Sequence, residues 1–115
     1  MTVDERVAQA LQTEFEQGQI YHDNVPENGS YPMICYTDLS ETPALHCDNR
    51  LYARSHTVRV TGILLGNHGL NELKTKIEQC MVNAGFNWQN TNKVRDGKEY
   101  YVSLDFEIGV EENYG

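Results

Sequence analysis

The stretch Lys98–Val110 constrains the fold more than any other part of the chain. Apolar residues occupy every second position, and the residues between them are mostly polar. Successive side chains of a strand point to opposite faces of a sheet, so this alternation predicts a strand with one buried and one solvent-exposed face. A helix would scatter the same apolar residues around its whole circumference. We therefore expect a central strand, with a buried face formed by Tyr100, Val102, Leu104, Phe106, Ile108 and Val110.

Two amphipathic helices are predicted on either side of a strand-rich segment. Thr2 and Glu5 have the spacing of a capping box, and the apolar residues that follow at four-residue steps predict a helix over Val3–Gln17. A second stripe of apolar residues at three- and four-residue steps predicts a helix over Leu70–Ala84. Gly85 follows it, as is common just beyond a helix C-terminus.

Four further strands are predicted from short runs of apolar and β-branched residues bounded by turn residues. Gly62 interrupts the alternation in one of them and suggests a bulge or bend. The segment Asp38–Tyr52 has no clear period, so we predict a long loop, and it is the best candidate for a segment ordered only by a neighbouring subunit. The four predicted strands are Gln19–His22, Tyr31–Thr37, Ala53–Leu65 and Phe86–Val94.

The turn Arg95–Lys98 is predicted to join the last two strands as a hairpin. A two-residue loop would place Trp88 opposite a residue of the polar face of the central strand. A three-residue loop with Gly97 in a bulge places Val94 opposite Lys98, and therefore Trp88 opposite Leu104. Directly opposed residues share a face, so only the bulged loop buries the tryptophan. We predict the bulged loop.

These elements predict a single domain over residues 1–115 with an α+β fold. Its architecture is a two-layer domain with a mostly antiparallel sheet of four to five strands and two helices on one face. A chain of 115 residues is long enough to bury a core without disulfides.

Composition narrows the classes of function. The formal net charge is −8, from nine basic and seventeen acidic residues, which argues against a nucleic-acid-binding surface. Such a charge keeps a protein soluble, and it could also line a channel through which DNA passes without binding. Three cysteines without metal-site spacing fit a reduced, intracellular setting. The sequence shows neither a signal peptide nor an apolar run of membrane-spanning length, so we expect a soluble, non-secreted protein.

No catalytic or metal site is predicted. His46-Cys47-Asp48 places three metal-ligand types side by side, but adjacent residues rarely converge on one ion and no second cluster accompanies them. His22 and Cys35 could suggest a nucleophilic pair, but nothing orients a nucleophile or supplies an oxyanion hole. We expect no enzyme activity, no cofactor and no metal.

Several short motifs, taken in order, carry a resemblance to a known family. They are Tyr21–Pro26, the aromatic-proline strand start Tyr31–Tyr36, the helix end Met81–Phe86, and the strand segments Glu99–Tyr101 and Asp105–Ile108. The ordered set resembles the tail terminator proteins of long-tailed bacteriophages, also called tail completion or head-to-tail joining proteins. The resemblance spans nearly the whole chain.

The resemblance implies a virion structural protein at the tail-neck junction, assembled in the host cytoplasm. Such proteins form a hexameric ring on the head-proximal end of the tail tube, stop its polymerisation and present a surface to the head-completion or connector protein. DNA crosses the ring without specific binding. We expect subunit or tube contacts at Leu45, His46, Asp48, Arg50 and Tyr52, and lumen-facing acids at Glu99, Asp105 and Glu107.

Two other functions remain open on the sequence. A head-completion or minor tail protein of the neck would have a similar size and would form its ring on the portal side. An acidic inhibitor that mimics DNA would bind a host enzyme, and it would need carboxylates at phosphate-like spacing over its surface. Basic residues interrupt any such face and disfavour the inhibitor; they are Lys74, Lys76, Lys93, Arg95 and Lys98.

Overall fold

The computed structural model describes residues 2–27, 29–46, 51–66 and 68–113 of the chain. Within these residues, two α-helices and five β-strands form the domain, and a short 3-10 helix over Gln17–Gln19 links the first helix to the sheet. The elements are α1 (Val3–Leu11), β1 (Ile20–His22), β2 (Met33–His46), β3 (Leu51–Leu65), α2 (Leu70–Asn83), β4 (Asn87–Asp96) and β5 (Glu99–Asn113).

The strands form one sheet in the order β1-β2-β3-β5-β4. All neighbouring pairs are antiparallel except β1 and β2, which run parallel. The buried residues of both helices join one face of the sheet in a single apolar cluster. We call this the helix face, and the opposite side the open face. The predicted α+β class, with a mostly antiparallel sheet and two helices on one face, is confirmed.

The strand predicted to be central is β5, which is an inner strand, whereas the middle strand of the sheet is β3. The alternating residues of β5 form the centre of the core. Val102, Leu104 and Phe106 on β5 are completely buried, while the residues between them are partly exposed. Val58 and Val60 on the neighbouring β3 are completely buried as well. Burying a side chain of this size contributes roughly 1.5–3 kcal/mol, so these positions account for much of the stabilisation of the sheet.

Helix α1 begins as predicted and ends earlier. The Thr2 side chain accepts a hydrogen bond from the Glu5 backbone N–H, and the Glu5 carboxylate accepts one from the Thr2 backbone N–H, so the capping box is confirmed. The helix stops at Leu11 rather than Gln17. Beyond it the Thr13 hydroxyl donates to the carbonyl oxygen of Ala10, a local bond that competes with helix continuation.

The predicted loop over Asp38–Tyr52 is wrong, because β2 continues to His46 and β3 begins at Leu51. The pairing of β2 with β3 shifts register twice, between Asp38 and Ser40 and between Pro43 and Leu45. Each shift places one extra residue on β2 and reverses the alternation of the side chains that follow. The strand therefore lacks the regular period by which it would be recognised in the sequence.

Gly62 does not mark a bulge. Its pairing with both neighbouring strands continues without a register shift on β3. A Cβ atom at this position would lie 2.6 Å from Cδ2 of Leu73 and 3.1 Å from Cδ1 of Ile77. The glycine is therefore required because α2 packs closely on the backbone of β3.

The predicted hairpin register is wrong. Asp96 pairs with Glu99, so the loop contains only Gly97 and Lys98, and Gly97 has a φ of +63°. Glycine at the first position of a two-residue loop is typical of a type II′ turn. Trp88 lies opposite Phe106, and the register shifts between Trp88 and Asn90.

Phe86 is buried, as predicted, but Trp88 is 49% exposed. Although Trp88 shares the helix face with Phe106, it lies on β4, at the edge of the sheet. Its indole Nε1 donates a hydrogen bond to the hydroxyl of Thr91, 2.8 Å away. The bulge and this local hydrogen bond hold the ring at the rim of the core rather than within it.

The molecule is elongated, with principal extents of 53 × 24 × 23 Å. At about 3.3 Å per residue, the fifteen residues of β3 account for the long dimension. Three strand ends extend beyond the segments that pair with β1 and β4, and we call them the arm. The arm comprises Thr42–His46, Leu51–Ser55 and Gly109–Asn113.

Candidate assembly surfaces

The three acids predicted to face a lumen all lie on the open face of β5. Glu99, the first of them, accepts two hydrogen bonds from phenolic hydroxyls. Tyr31 donates to one carboxylate oxygen over 2.7 Å, and Tyr101 donates to the other over 3.0 Å. The hydrogen bond to Glu99 raises the pKa of Tyr31, and burial, together with the same carboxylate, raises the pKa of Tyr101. Glu99 therefore anchors the segment before β2 to the sheet.

Asp105 forms an ion pair with Arg59 of the adjacent strand. The Arg59 Nε and Nη2 atoms donate to the two carboxylate oxygens over 2.8 and 3.2 Å. The hydrogen bond to Asp105 raises the pKa of Arg59. This two-point contact compensates one of the three acidic charges on the open face.

Glu107 is the remaining predicted acid, and it has no ion-pair partner among the described residues. It lies on β5 opposite Thr57 of β3 and Asn87 of β4. The three predicted acids therefore comprise one carboxylate without an ion-pair partner in the described ranges, one hydrogen-bonded to tyrosines and one compensated by arginine. Their exposure to a ring lumen stays a prediction.

The arm contains three of the five residues predicted to contact a subunit or the tube. Leu45 pairs with Ala53, and His46 pairs with Tyr52, near the end of the β2–β3 hairpin. Asp48 and Arg50 lie outside the described residues. The sequence predicted a loop here, whereas the described part of the segment is paired strand. Its role in contacts stays a prediction.

A contact between His56 and Asp38 that the sequence did not predict lies at the base of the arm. His56 Nδ1 is 3.2 Å from a carboxylate oxygen of Asp38. The His56 side chain is only 14% exposed, and the two residues lie on adjacent strands. The residues are eighteen apart in sequence, so no local spacing reveals this contact.

His22 and Cys35 do not form a pair. Tyr21 lies opposite Cys35, whereas His22 lies opposite Tyr36, so the two side chains point to opposite faces of the sheet. The imidazole stacks on the Tyr36 ring with centroids 4.8 Å apart. Burial raises the pKa of the Cys35 thiol, which disfavours the nucleophilic thiolate.

Within the described ranges, no three His, Cys, Asp or Glu residues group closely enough to hold a metal ion. Cys47 and Asp48 of the weak metal motif lie outside those ranges. None of the described helices is long and apolar enough to cross a membrane.

Three of the five large apolar residues that are exposed in the described ranges lie on α2 and β4. Val82 in the last turn of α2 is 48% exposed, and Trp88 and Val94 on β4 are 49% and 58% exposed. The predicted register had buried Trp88, so sequence reasoning missed this surface. The bulge after Trp88, which determines the register of this part of β4, cannot be recognised from the neighbouring residues in the sequence.

No protein-family model matches the sequence, and a comparison with curated proteins finds no match. A search of solved structures finds similarity to a chain in the "Virion of native gene transfer agent (GTA) particle", with a TM-score of 0.70. The two chains share a fold. The similarity covers 96% of this chain and 95% of that chain at 16% sequence identity. The shared architecture therefore extends over nearly the full length of both chains.

Proposed function

We propose that this protein is a virion structural protein that forms a ring on the head-proximal end of a tail tube. The observation that carries the proposal is the fold similarity to a chain of a gene transfer agent virion over nearly the whole of both chains. The ordered motifs that resemble phage tail terminators point the same way. In this role the ring stops tube polymerisation and joins the tail to the head connector.

The shape of the domain suits a ring subunit. A compact helix layer covers one face of the sheet, while the other face is open and partly polar. A heterologous contact between different surfaces of identical subunits closes into a ring when the rotation between them permits it. A heterologous contact joins two different surfaces, and the two edge strands of this sheet, β1 and β4, differ in length and composition.

The arm supplies a surface for a second contact, with a neighbouring subunit or with the tube protein. It extends beyond the parts of the sheet that β1 and β4 flank. Unpaired strand edges present backbone donors and acceptors to other chains. The predicted contact residues in the described part of the arm are Leu45, His46 and Tyr52.

The open face is the proposed lumen wall. Glu107 and Glu99 carry its negative charge, because Arg59 compensates Asp105. A negatively charged wall repels DNA phosphates, so the duplex passes without being held. The proposed role needs no catalysis, cofactor or metal, and the partners are further copies of this chain, tail tube protein and the connector.

Purified protein should be measured by light scattering alone and with tail tube protein, and tube lengths should be followed by electron microscopy. The proposal expects a hexamer, or a monomer that assembles only on tube ends, together with shorter tubes. Tyr52→Ala in the arm should reduce capping, whereas Gln12→Ala, at the exposed residue just beyond α1, should not. Tubes that grow to the same length with and without the protein would contradict the proposal.

Adding the head connector distinguishes the head-side alternative. A protein that binds the connector and ignores tubes is a head-completion protein, whereas a tail terminator binds the tube first. The third function, an inhibitor that mimics DNA, would appear as a persistent monomer that captures a host nucleic-acid enzyme. The Arg59–Asp105 pair argues against this function, because it compensates a carboxylate that a DNA mimic would need exposed.

A further inference from the structure

The negative charge of the chain is concentrated in its first half. Residues 1–50 contain nine acidic and two basic residues, a net charge of −7, whereas residues 51–115 contain eight acidic and seven basic residues, a net charge of −1. The topology converts this difference into a difference between the two edges of the sheet. Strand β1 forms one edge and β4 forms the other.

The strand pairing aligns residues of all five strands in rows that cross the sheet, and each row begins on one edge strand, β1, and ends on the other, β4. On the helix face, one row runs from Ile20 on β1 across the three inner strands to Lys93 on β4. The next row runs from His22 to Thr91. If two copies lie side by side without a shift along the strand direction, β4 of one copy therefore lies next to β1 of the other copy and to the segments that flank β1.

The β4 edge has positive charges without carboxylate partners in the described part of the chain. Lys93 Nζ donates to the amide oxygen of Asn71 over 2.7 Å. Arg95 Nε donates to the Gly97 carbonyl over 3.1 Å, and the guanidinium lies 5.4 Å from the centre of the Tyr100 ring. Both cations are held in place by neutral groups and keep their charge available.

The same edge has the apolar content and concave shape of an interface. Trp88 and Val94 are about half exposed on β4. Tryptophan and arginine are frequent energetic centres of protein contacts. A depression of about 360 Å³ lies between β4 and the start of α2, and its lining includes Leu70, Asn71, Lys93, Arg95 and Tyr100.

The β1 edge has the opposite charge. Asp4 and Asp23 each have a carboxylate oxygen 3.5 Å from His22 Nε2, and their side chains are 40% and 53% exposed. The other Asp4 oxygen is shielded from solvent and has no hydrogen-bond partner in the described ranges. Glu16 and Glu27, in the segments flanking β1, are exposed. No lysine or arginine within the described residues pairs with any of these four carboxylates.

We propose that the β4 edge of one copy binds the β1 edge of a second copy of this chain. The proposal rests on the ring function above and specifies the contact that closes the ring. Two β4 edges repel one another, as do two β1 edges, so the charges exclude twofold-symmetric pairing and select the head-to-tail arrangement. Trp88 and Val94 provide the apolar part of the contact, and the ion pairs set its direction and its dependence on salt.

The test uses charge reversal on each edge and sedimentation velocity of the full-length protein. Wild type should self-associate at low salt and dissociate as salt rises. Lys93→Glu with Arg95→Glu, and separately Asp4→Lys with Asp23→Lys, should each weaken association by about tenfold or more, as expected for losing several rim ion pairs. An equimolar mixture of the two variants should recover association, because each reversed edge then faces an edge of opposite charge.

The matched control is Arg6→Glu with Lys76→Glu. It changes net charge by the same amount as the β4 variant, and both residues lie on the helices rather than on β1 or β4. The control should associate like wild type. Thermal unfolding of every variant checks that the exposed substitutions leave the fold intact. Wild type that stays monomeric at millimolar concentration and low salt, or a mixture that does not recover, overturns the proposal.

Tube capping separates this contact from the proposed function. If the variants lose association and the mixture recovers it, but wild type does not shorten tubes, the edge contact stands and the tail-capping role fails. If wild type caps tubes and the reversed variants cap them equally well, the role stands and the edge contact is wrong.

Discussion

Arg59 and Asp105 join the two central strands on the open face through two nitrogen–oxygen contacts of 2.8 and 3.2 Å. They lie directly opposite one another on β3 and β5. The arginine side chain is 44% exposed and the aspartate 16%, so water screens the pair on one side only. This contact determines how much negative charge the open face retains.

The strength of this pair can be measured by a double-mutant cycle with Arg59→Gln and Asp105→Asn. We expect a coupling free energy of about 0.5–1 kcal/mol in urea unfolding. Two hydrogen bonds join the side chains, but solvent screening weakens the attraction between their charges. High salt should reduce the coupling. Glu107→Gln, at a residue without an ion-pair partner in the described ranges, should change stability by less than about 0.5 kcal/mol. Zero coupling at low salt would contradict the pairing.

Glu99 should control the titration of Tyr31. Its hydrogen bond raises the pKa of the phenol, so the neutral tyrosine is favoured in the folded state. The associated stabilisation is complete below the ordinary pKa of about 10 and disappears as pH rises through the folded value. Glu99→Gln should therefore lower the pH at which tyrosinate absorbance appears. Tyr31→Phe is the control, because in that background Glu99→Gln should have a smaller effect.

Gly62→Ala should destabilise the protein by about 1–3 kcal/mol, as measured by urea unfolding. Its Cβ would lie 2.6 Å from Leu73, and Leu73 is 5% exposed and cannot move freely. Gly109→Ala is the matched control on β5, because no atom lies within 4 Å of the position of its Cβ. Equal stability of the two variants would show that α2 is not packed closely on β3.

Cys80 should be unreactive in the folded protein. Burial raises the pKa of its thiol to about 11, and its Sγ donates to the Ile77 carbonyl over 3.2 Å. In a variant with Cys35→Ser and Cys47→Ser, a thiol reagent should label Cys80 only as fast as the protein unfolds. Rapid labelling without denaturant would contradict the packing of α2.

Trp88 should report assembly through its fluorescence, since it is the only tryptophan in the chain. At 49% exposure, it should be accessible to a soluble quencher in the monomer. Ring formation through the β4 edge should shift its emission to shorter wavelength and reduce quenching. Trp88→Ala should weaken association, and Val82→Ala, at an exposed residue of α2 rather than of β4, serves as the comparison variant. Unchanged quenching on assembly would place the contact at a different surface.

The periodic parts of the sequence were sufficient to predict the layers of the fold. The alternation from Tyr100 identified β5, and the stripe from Leu70 identified α2 almost to its last residue. The Thr2–Glu5 capping box identified the start of α1. In each case the pattern involves residues within a few positions of one another in the sequence. The geometry of a single helix or strand is enough to explain their spacing.

The predictions that failed for β2 and for the β4–β5 hairpin involve register. Bulges near Leu39 and between Pro43 and Leu45 hid the length of β2, and a bulge after Trp88 moved that ring to the rim. One inserted residue moves every later side chain to the opposite face, and the sequence contains no local marker of where the insertion occurs.

The sequence by itself determined the α+β class, the half-buried strand β5 and the uneven distribution of charge along the chain. Only the tertiary structure decided that this charge separates onto two edges, that Arg59 meets Asp105, and that Gly62 makes room for Leu73. These relationships join residues far apart in the chain. They depend on strand order and register, which the whole set of packing contacts selects together.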